Sequence, residues 1–335
     1  MYPVSNFSLH LPGLFVSCAL IACGGSNDSD GAAGSAGQGA NNIAGMTQTS
    51  GGTATSGGAS AGTANASGGA SAGTSTTAGQ TSAGGNATTP TAEKFSFFVT
   101  SLKAMRELSG NEDGFGGDLR FGETGDGAGL RGADKICTTI AEKSMPNNGK
   151  TWRAFLSATA GEDGMPVNAI ERVGAGPWYD RTGRLVANNA TDLATERPTG
   201  ADTQIVNDLP NEDGVPNHAP DTGGGEVDNH DVMTGTNEKG KLFNTDAGFT
   251  CDDWTSSVGD AGTPHCGHSW PRAGRGGGGG MTMMGSGNNW MSALNEAGCA
   301  PGAFVVENGP PGANGTLSVG DGGGYGGIYC LALTP

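Results

Sequence analysis

The chain has 335 residues, with 17 Lys and Arg against 33 Asp and Glu and a formal net charge of −16. An acidic balance of this size disfavours nucleic acid, heparin-like chains and anionic lipid headgroups as partners, and favours cations or basic proteins. The 64 glycines predict a large share of loop rather than long regular elements.

Residues 1–22 contain an apolar stretch from Leu11 to Ala22 that ends in Leu20-Ile21-Ala22-Cys23-Gly24. About a dozen apolar residues are too few to span a bilayer as a helix, so the segment reads as a cleaved signal peptide. Leu20, Ala22 and Cys23 resemble the bacterial lipobox, which implies lipidation at Cys23. The leading segment departs from that pattern, because residues 1–10 carry no Lys or Arg. Gly24 after Cys23 is similar to lipoproteins sorted to the outer membrane, so the expected location is the bacterial cell envelope, with periplasmic and surface orientations both open. No later apolar run is long enough for a membrane helix.

Residues 23–92 follow as an expected lipid-anchored linker. From residue 24 to 92 there is no aromatic residue and no Lys or Arg. A segment so poor in large apolar side chains cannot offset the entropy of ordering its backbone. As a Gly/Ser-like coil it would span roughly 45 Å root-mean-square.

Residues 93–335 have the composition of one folded domain, holding all 17 Lys and Arg and 31 of the 33 acidic residues. Phe95–Thr100 is expected as a strand, followed by a Gly- and Asp-rich loop from Gly110 to Gly129. Asp134–Ser144 is expected as a helix, with Ile136, Cys137, Ile140 and Ala141 on one face and Asp134 at its positive N-terminal end. Trp152–Ser157 is strand-like, and Gly176–Tyr179 with Arg184–Ala187 suggests a hairpin. Beyond a loop from Asn207 to His230 come the short segments Val232–Thr236, Cys251–Ser256 and Ile328–Leu333. The expected class is α+β with few helices and much irregular backbone.

Five cysteines fall in this domain: Cys137, Cys251, Cys266, Cys299 and Cys330. An exported chain meets an oxidising compartment, so pairs among them are expected, and the odd number leaves at least one thiol free, bonded to another chain or engaged by a metal.

Leu130–Cys137, the spacer ending in Gly149, and Thr151–Ser157 resemble the opening of endostatin, the C-terminal domain of certain collagens. Cys251-Asp252-Asp253-Trp254-Thr255 and Ile328-Tyr329-Cys330 are similar to later segments of that family in the same order. Phe98–Ser101, Gly176–Tyr179 and Met233–Thr236 look more like the bacterial endostatin-like outer-surface lipoproteins. The resemblance implies a C-type-lectin-like fold with nested disulfides, Cys137 with Cys330 and Cys251 with Cys299. Cys266 has no counterpart in that scheme. Endostatin's N-terminal His-x-His zinc site and its Arg-rich heparin surface have no match here, so neither property is expected.

Candidate site residues fall into three groups. His265, Cys266 and His268 are transition-metal ligand types, with Asp252 or Asp253 completing a set if the fold brings them together. Asp208, Asp213, Asp221, Asp228 and Asp231, on an acidic stretch over 207–231, supply the hard oxygens that calcium takes, without EF-hand spacing. Trp270, Trp290 and Asn217, on or beside the loops 205–230 and 270–290, are candidate ligand contacts. Val215-Pro216-Asn217 is a poor match to the calcium loop of true C-type lectins, because Val215 stands where a carboxylate or amide is needed.

No resident cofactor is expected, with calcium and a transition metal as the two candidates. The leading functional expectation is a non-catalytic, lectin-like recognition module on a tether, binding an extracellular protein or glycan and meeting the membrane only through its lipid. The alternatives are a metal-assisted hydrolase built on His265 and His268, and a calcium-binding surface module.

Overall fold

A computed structural model of the chain describes residues 94–217, 229–270, 288–306, 310–313 and 315–335. The signal segment 1–22, Cys23 and the linker lie outside the described residues, as do Asp221 and Asp228. The class is α+β, as expected from sequence. Among the described residues, no helix is long and apolar enough to cross a membrane.

The organising element is the last strand, which starts before the expected segment Ile328–Leu333 and ends one residue short of it, at Ala332. In chain order the strands are β1 (Phe97–Val99), β2 (Trp152–Ala154), β3 (Trp178–Tyr179), β4 (Leu185–Ala187), β5 (Asp231–Met233), β6 (His265–His268), β7 (Leu294–Asn295) and β8 (Gly324–Ala332). All nine residues of β8 are buried. It pairs antiparallel with β1 and β2 toward its C-terminal end, and parallel with β5 toward its start. The sheet then continues through β6 to β7, while β3 and β4 form the expected hairpin apart from it.

Strand alternation divides the core in two. Ile328, Cys330 and Ala332 face a cluster with Phe98, Trp152, Met105, Ile136 and Ile140, whereas Tyr329 and Leu331 face one with Phe97, Val99, Phe155, Trp178 and Trp290. A strand buried on both faces reads as a near-continuous apolar run, which is why the chain's end was visible in sequence.

Two helices, α1 (Leu102–Ser109) and α2 (Ala128–Ser144), precede β2. Sequence missed α1, although its signals are present. Ser101 caps it by accepting from the Ala104 amide, and Gly110 closes it in the left-handed conformation at φ 68°. Helix α2 begins six residues before the expected start, so Asp134 is interior rather than terminal. Gly132 permits this, since a Cβ there would stand 2.1 Å from the Arg120 carbonyl oxygen. Asp134 instead pairs with Arg172 at 2.8 Å and Arg153 at 2.6 Å, and accepts from the Ala154 amide, binding α2 to β2 and to the short helix α3 (Ala169–Arg172). A further short helix, α4 (Ala190–Leu193), follows β4.

The structure bonds Cys137 to Cys330 across 193 residues and Cys251 to Cys299 across 48, the pairing that the resemblance implies. Cys266 is a buried free thiol.

Candidate functional site

Strands β5 and β6 lie side by side with Asp231 opposite His268 and Val232 opposite Gly267. Gly267 is required there, because a Cβ would stand 1.9 Å from the Trp290 carbonyl oxygen of the crossing segment. One end of this strand pair is where the chain arrives at β5 through Asn229 and His230, and leaves β6 through Ser269 and Trp270.

Four chain segments meet at that end. The Asn217 amide nitrogen donates to the Asn229 carbonyl (3.4 Å) and to Ser269 Oγ (3.2 Å), and the Asn229 side chain donates back to the Asn217 carbonyl (2.9 Å). Ser269 N–H donates to the His230 carbonyl, and His268 N–H to that of Asn289. Arg197 closes the knot. Its guanidinium donates to the carbonyls of Val206 (2.9 Å), His268 (2.6 Å), Ser269 (2.6 Å) and Asn288 (3.2 Å). Burial pulls the Arg197 pKa below the usual arginine value. Residues 217, 229, 270 and 288 therefore meet at one hydrogen-bonded platform. Sequence gave no sign of Arg197's part, since its partners are all backbone carbonyls.

Directly beneath the platform lies a buried polar group. His230, Asp231 and His268 are each less than a tenth exposed. Asp231 Oδ1 stands 3.4 Å from His230 Nε2 and 3.0 Å from His268 Nε2, and the two imidazole rings pack edge-to-face with centroids 4.2 Å apart. Among the described residues these form the one group of three metal-ligating side chains whose ligand atoms lie within 4.8 Å of one another. Glu296 lies against Asp231 and is fully enclosed, with Oε2 accepting from the Gly322 amide at 2.8 Å. Burial, with Asp231 alongside, pushes the Glu296 carboxyl well above its ordinary range. Cys266 feels the same two carboxylates, and burial raises its thiol likewise.

Several sequence expectations need correction. His265 does not join His268. Its Nδ1 faces Asn295 Oδ1 at 2.6 Å, its Nε2 faces Ser292 Oγ at 2.8 Å, and its ring stacks on Phe243 at 3.6 Å. Residues three apart on a strand point to opposite faces, so the two histidines of β6 diverge. Asp252 is exposed, with its backbone carbonyl accepting from the Thr255 hydroxyl at 2.7 Å. Asp253 accepts from Thr159 N–H (2.6 Å), Thr159 Oγ1 (2.8 Å), Ala160 N–H (3.0 Å) and Thr250 Oγ1 (3.0 Å). These bonds hold Cys251–Trp254 as a left-handed turn with φ from 47° to 67°.

Among the described residues, the acidic stretch does not gather either. Asp213 is exposed and Asp208 half-buried, while Asp231 is buried beside the imidazoles. Glu212 turns inward to accept from the Ser101 amide (3.0 Å) and hydroxyl (2.6 Å), supporting the cap of α1. Trp290 is core, packed on Phe155 and Tyr329 with its indole N–H on the Leu193 carbonyl. Asn217 is a buried platform residue rather than a ligand contact. Of the three candidate contacts only Trp270 keeps partial exposure, packing against His230 with its Nε1 3.2 Å from Asn229 Oδ1.

A separate cleft of about 520 Å³ opens between α2 and α3, lined by Leu130, Arg131, Asp134, Arg153, Arg172 and Leu333. Its central charges are already matched, Arg172 and Arg153 on Asp134, and Arg131 on Glu162.

No family model matches the chain, and no curated protein matches it.

Proposed function

We propose that this chain is a cell-envelope lipoprotein that presents a non-catalytic, endostatin-like and lectin-like recognition domain on a flexible tether, with an extracellular protein or glycan as its ligand. The observation that carries the reading is the convergence of residues 217, 229, 270 and 288 on one hydrogen-bonded platform. Loops that bind a partner are held best on a rigid scaffold, and Arg197 with the β5–β6 pair supplies one. The net charge of −16 directs the search toward basic protein surfaces or neutral sugars. The enclosure of His230, Asp231 and His268 supports a non-catalytic role, because a polymeric substrate cannot reach groups so covered.

The full chain, extracted from membranes in detergent, is to be screened against a glycan array and a panel of immobilised basic extracellular proteins, in parallel with Cys23→Ala. Saturable binding to at least one member is expected, with the Cys23→Ala chain leaving the membrane fraction and taking up no fatty-acid label. Absence of saturable binding across both panels would refute recognition, and a labelled, membrane-bound Cys23→Ala chain would refute the anchor.

A further inference from the structure

Recognition through the loops makes no use of the histidine–aspartate group beneath them. Two of its ligand-atom separations match those of a coordination shell. Ligand atoms at about 2.0–2.1 Å from a tetrahedral zinc ion stand about 3.3 Å from one another. Asp231 Oδ1 lies 3.4 Å and 3.0 Å from the two imidazole Nε2 atoms, and all three ligand atoms fit within 4.8 Å.

Glu296 is enclosed and lies against Asp231, with its Oε2 accepting from the Gly322 amide at 2.8 Å. Two imidazoles directed at the same carboxylate oxygen are the ligand types that place a borderline-soft cation there rather than calcium, which takes six to eight oxygens.

We propose that His230, Asp231 and His268 bind one divalent transition-metal ion of the zinc class, with Glu296 in contact with Asp231. The site uses one histidine of the pair expected from sequence and replaces the other with His230. Three protein ligands leave one position for water. Because His230 leads into β5 and His268 ends β6, the ion would hold those two chain segments in register. Metal uptake is measured without the loop ligand, so it stands or falls separately from recognition.

The full chain, stripped with chelator under non-reducing conditions, is to be titrated with zinc(II), and with cobalt(II) for its spectrum. The expected result is one ion per chain, tetrahedral cobalt bands, and no thiolate charge-transfer band, since Cys266 stays a core thiol. Asp231→Asn and His268→Gln should each weaken binding about tenfold or more, and His265→Gln should leave it unchanged. If a ligand variant fails to form both disulfides, the wild-type stoichiometry and cobalt spectrum decide. No stoichiometric uptake, a thiolate band, or full binding by folded Asp231→Asn and His268→Gln would overturn the assignment.

Discussion

His265 and His268 show how much one strand position decides. Both are enclosed, yet His265 has been given a neutral environment, stacked on Phe243 between Asn295 and Ser292. Burial lowers its pKa from 6.5 to about 4. Between those values the unfolded chain binds the proton that the folded chain refuses, so the stabilisation is present above pH 6.5 and is lost as pH falls toward 4. The full contribution is up to about 3 kcal/mol. Urea denaturation of the full chain across pH 4 to 7 should show stability rising with pH, and His265→Gln should flatten that rise. An equal slope in the variant would mean that other groups carry it. Asp253 is the second instructive residue. A left-handed backbone costs a non-glycine residue about 1–2 kcal/mol, and Cys251–Trp254 adopts it four times in succession. Asp253→Ala removes a charged acceptor from four donors and should cost about 3 kcal/mol, read as a lower denaturation midpoint with unchanged slope. Neither role was legible in sequence, where Asp253 and His265 carry the same ligand chemistry as true ligands. What separates them is which neighbours the fold supplies.

At the scale of elements, legibility followed burial pattern. The body of α2 was visible because its apolar residues recur at helical spacing, and the end of β8 because it is a near-continuous apolar run. Helix α1 is short, and its start at Leu102 follows a strand almost at once, so residues 101–109 were left unassigned between that strand and the loop from Gly110. The start of α2 was displaced because Gly129 and Gly132 read as loop, whereas the missing Cβ of each is filled by a crossing backbone. The platform was the least legible element of all. It joins residues 197, 217, 229, 268 and 288 through backbone carbonyls, which every residue has, so no side-chain pattern announces it. Arg197→Ala would remove one donor from each of four carbonyls, of which that of Ser269 keeps the Leu209 amide, and should destabilise the domain by about 2–4 kcal/mol. Amide hydrogen exchange at His268 and Ser269 should quicken more than at β8, because both amides bond across the platform. Arg197→Lys should not restore it, since one ammonium cannot span the same four acceptors. Equal exchange in wild type and Arg197→Ala would show that the strand pair alone orders the loop ends.

Considered as a whole molecule, the chain joins three regimes that composition alone separates: an apolar leader, a stretch without aromatic residues or Lys and Arg, and an acidic domain carrying every Trp. Two disulfides close that domain over distances of 193 and 48 residues, which offsets part of the entropy cost of so much irregular backbone. The class of the fold and the hairpin were readable because each leaves a local mark, whereas the disulfide partners came only from the resemblance, composition having left the pairing of five cysteines open. The buried histidine–aspartate group was not readable, since His230 and His268 meet only through the β5–β6 pairing. The loops 205–230 and 270–290, on or beside which the candidate contacts were placed, reach into the core at Ile205, Leu209, Asn217 and Trp290. The most direct measurement is therefore ligand binding by full chains in which residues 219–227 or 272–286 are replaced by a short Gly-Ser link, with both disulfides verified by peptide mass spectrometry. Loss of binding in at least one of these chains, with pairing intact, is the result expected if recognition resides in the segments that the platform carries. Undiminished binding in both would contradict it and place the partner elsewhere on the domain.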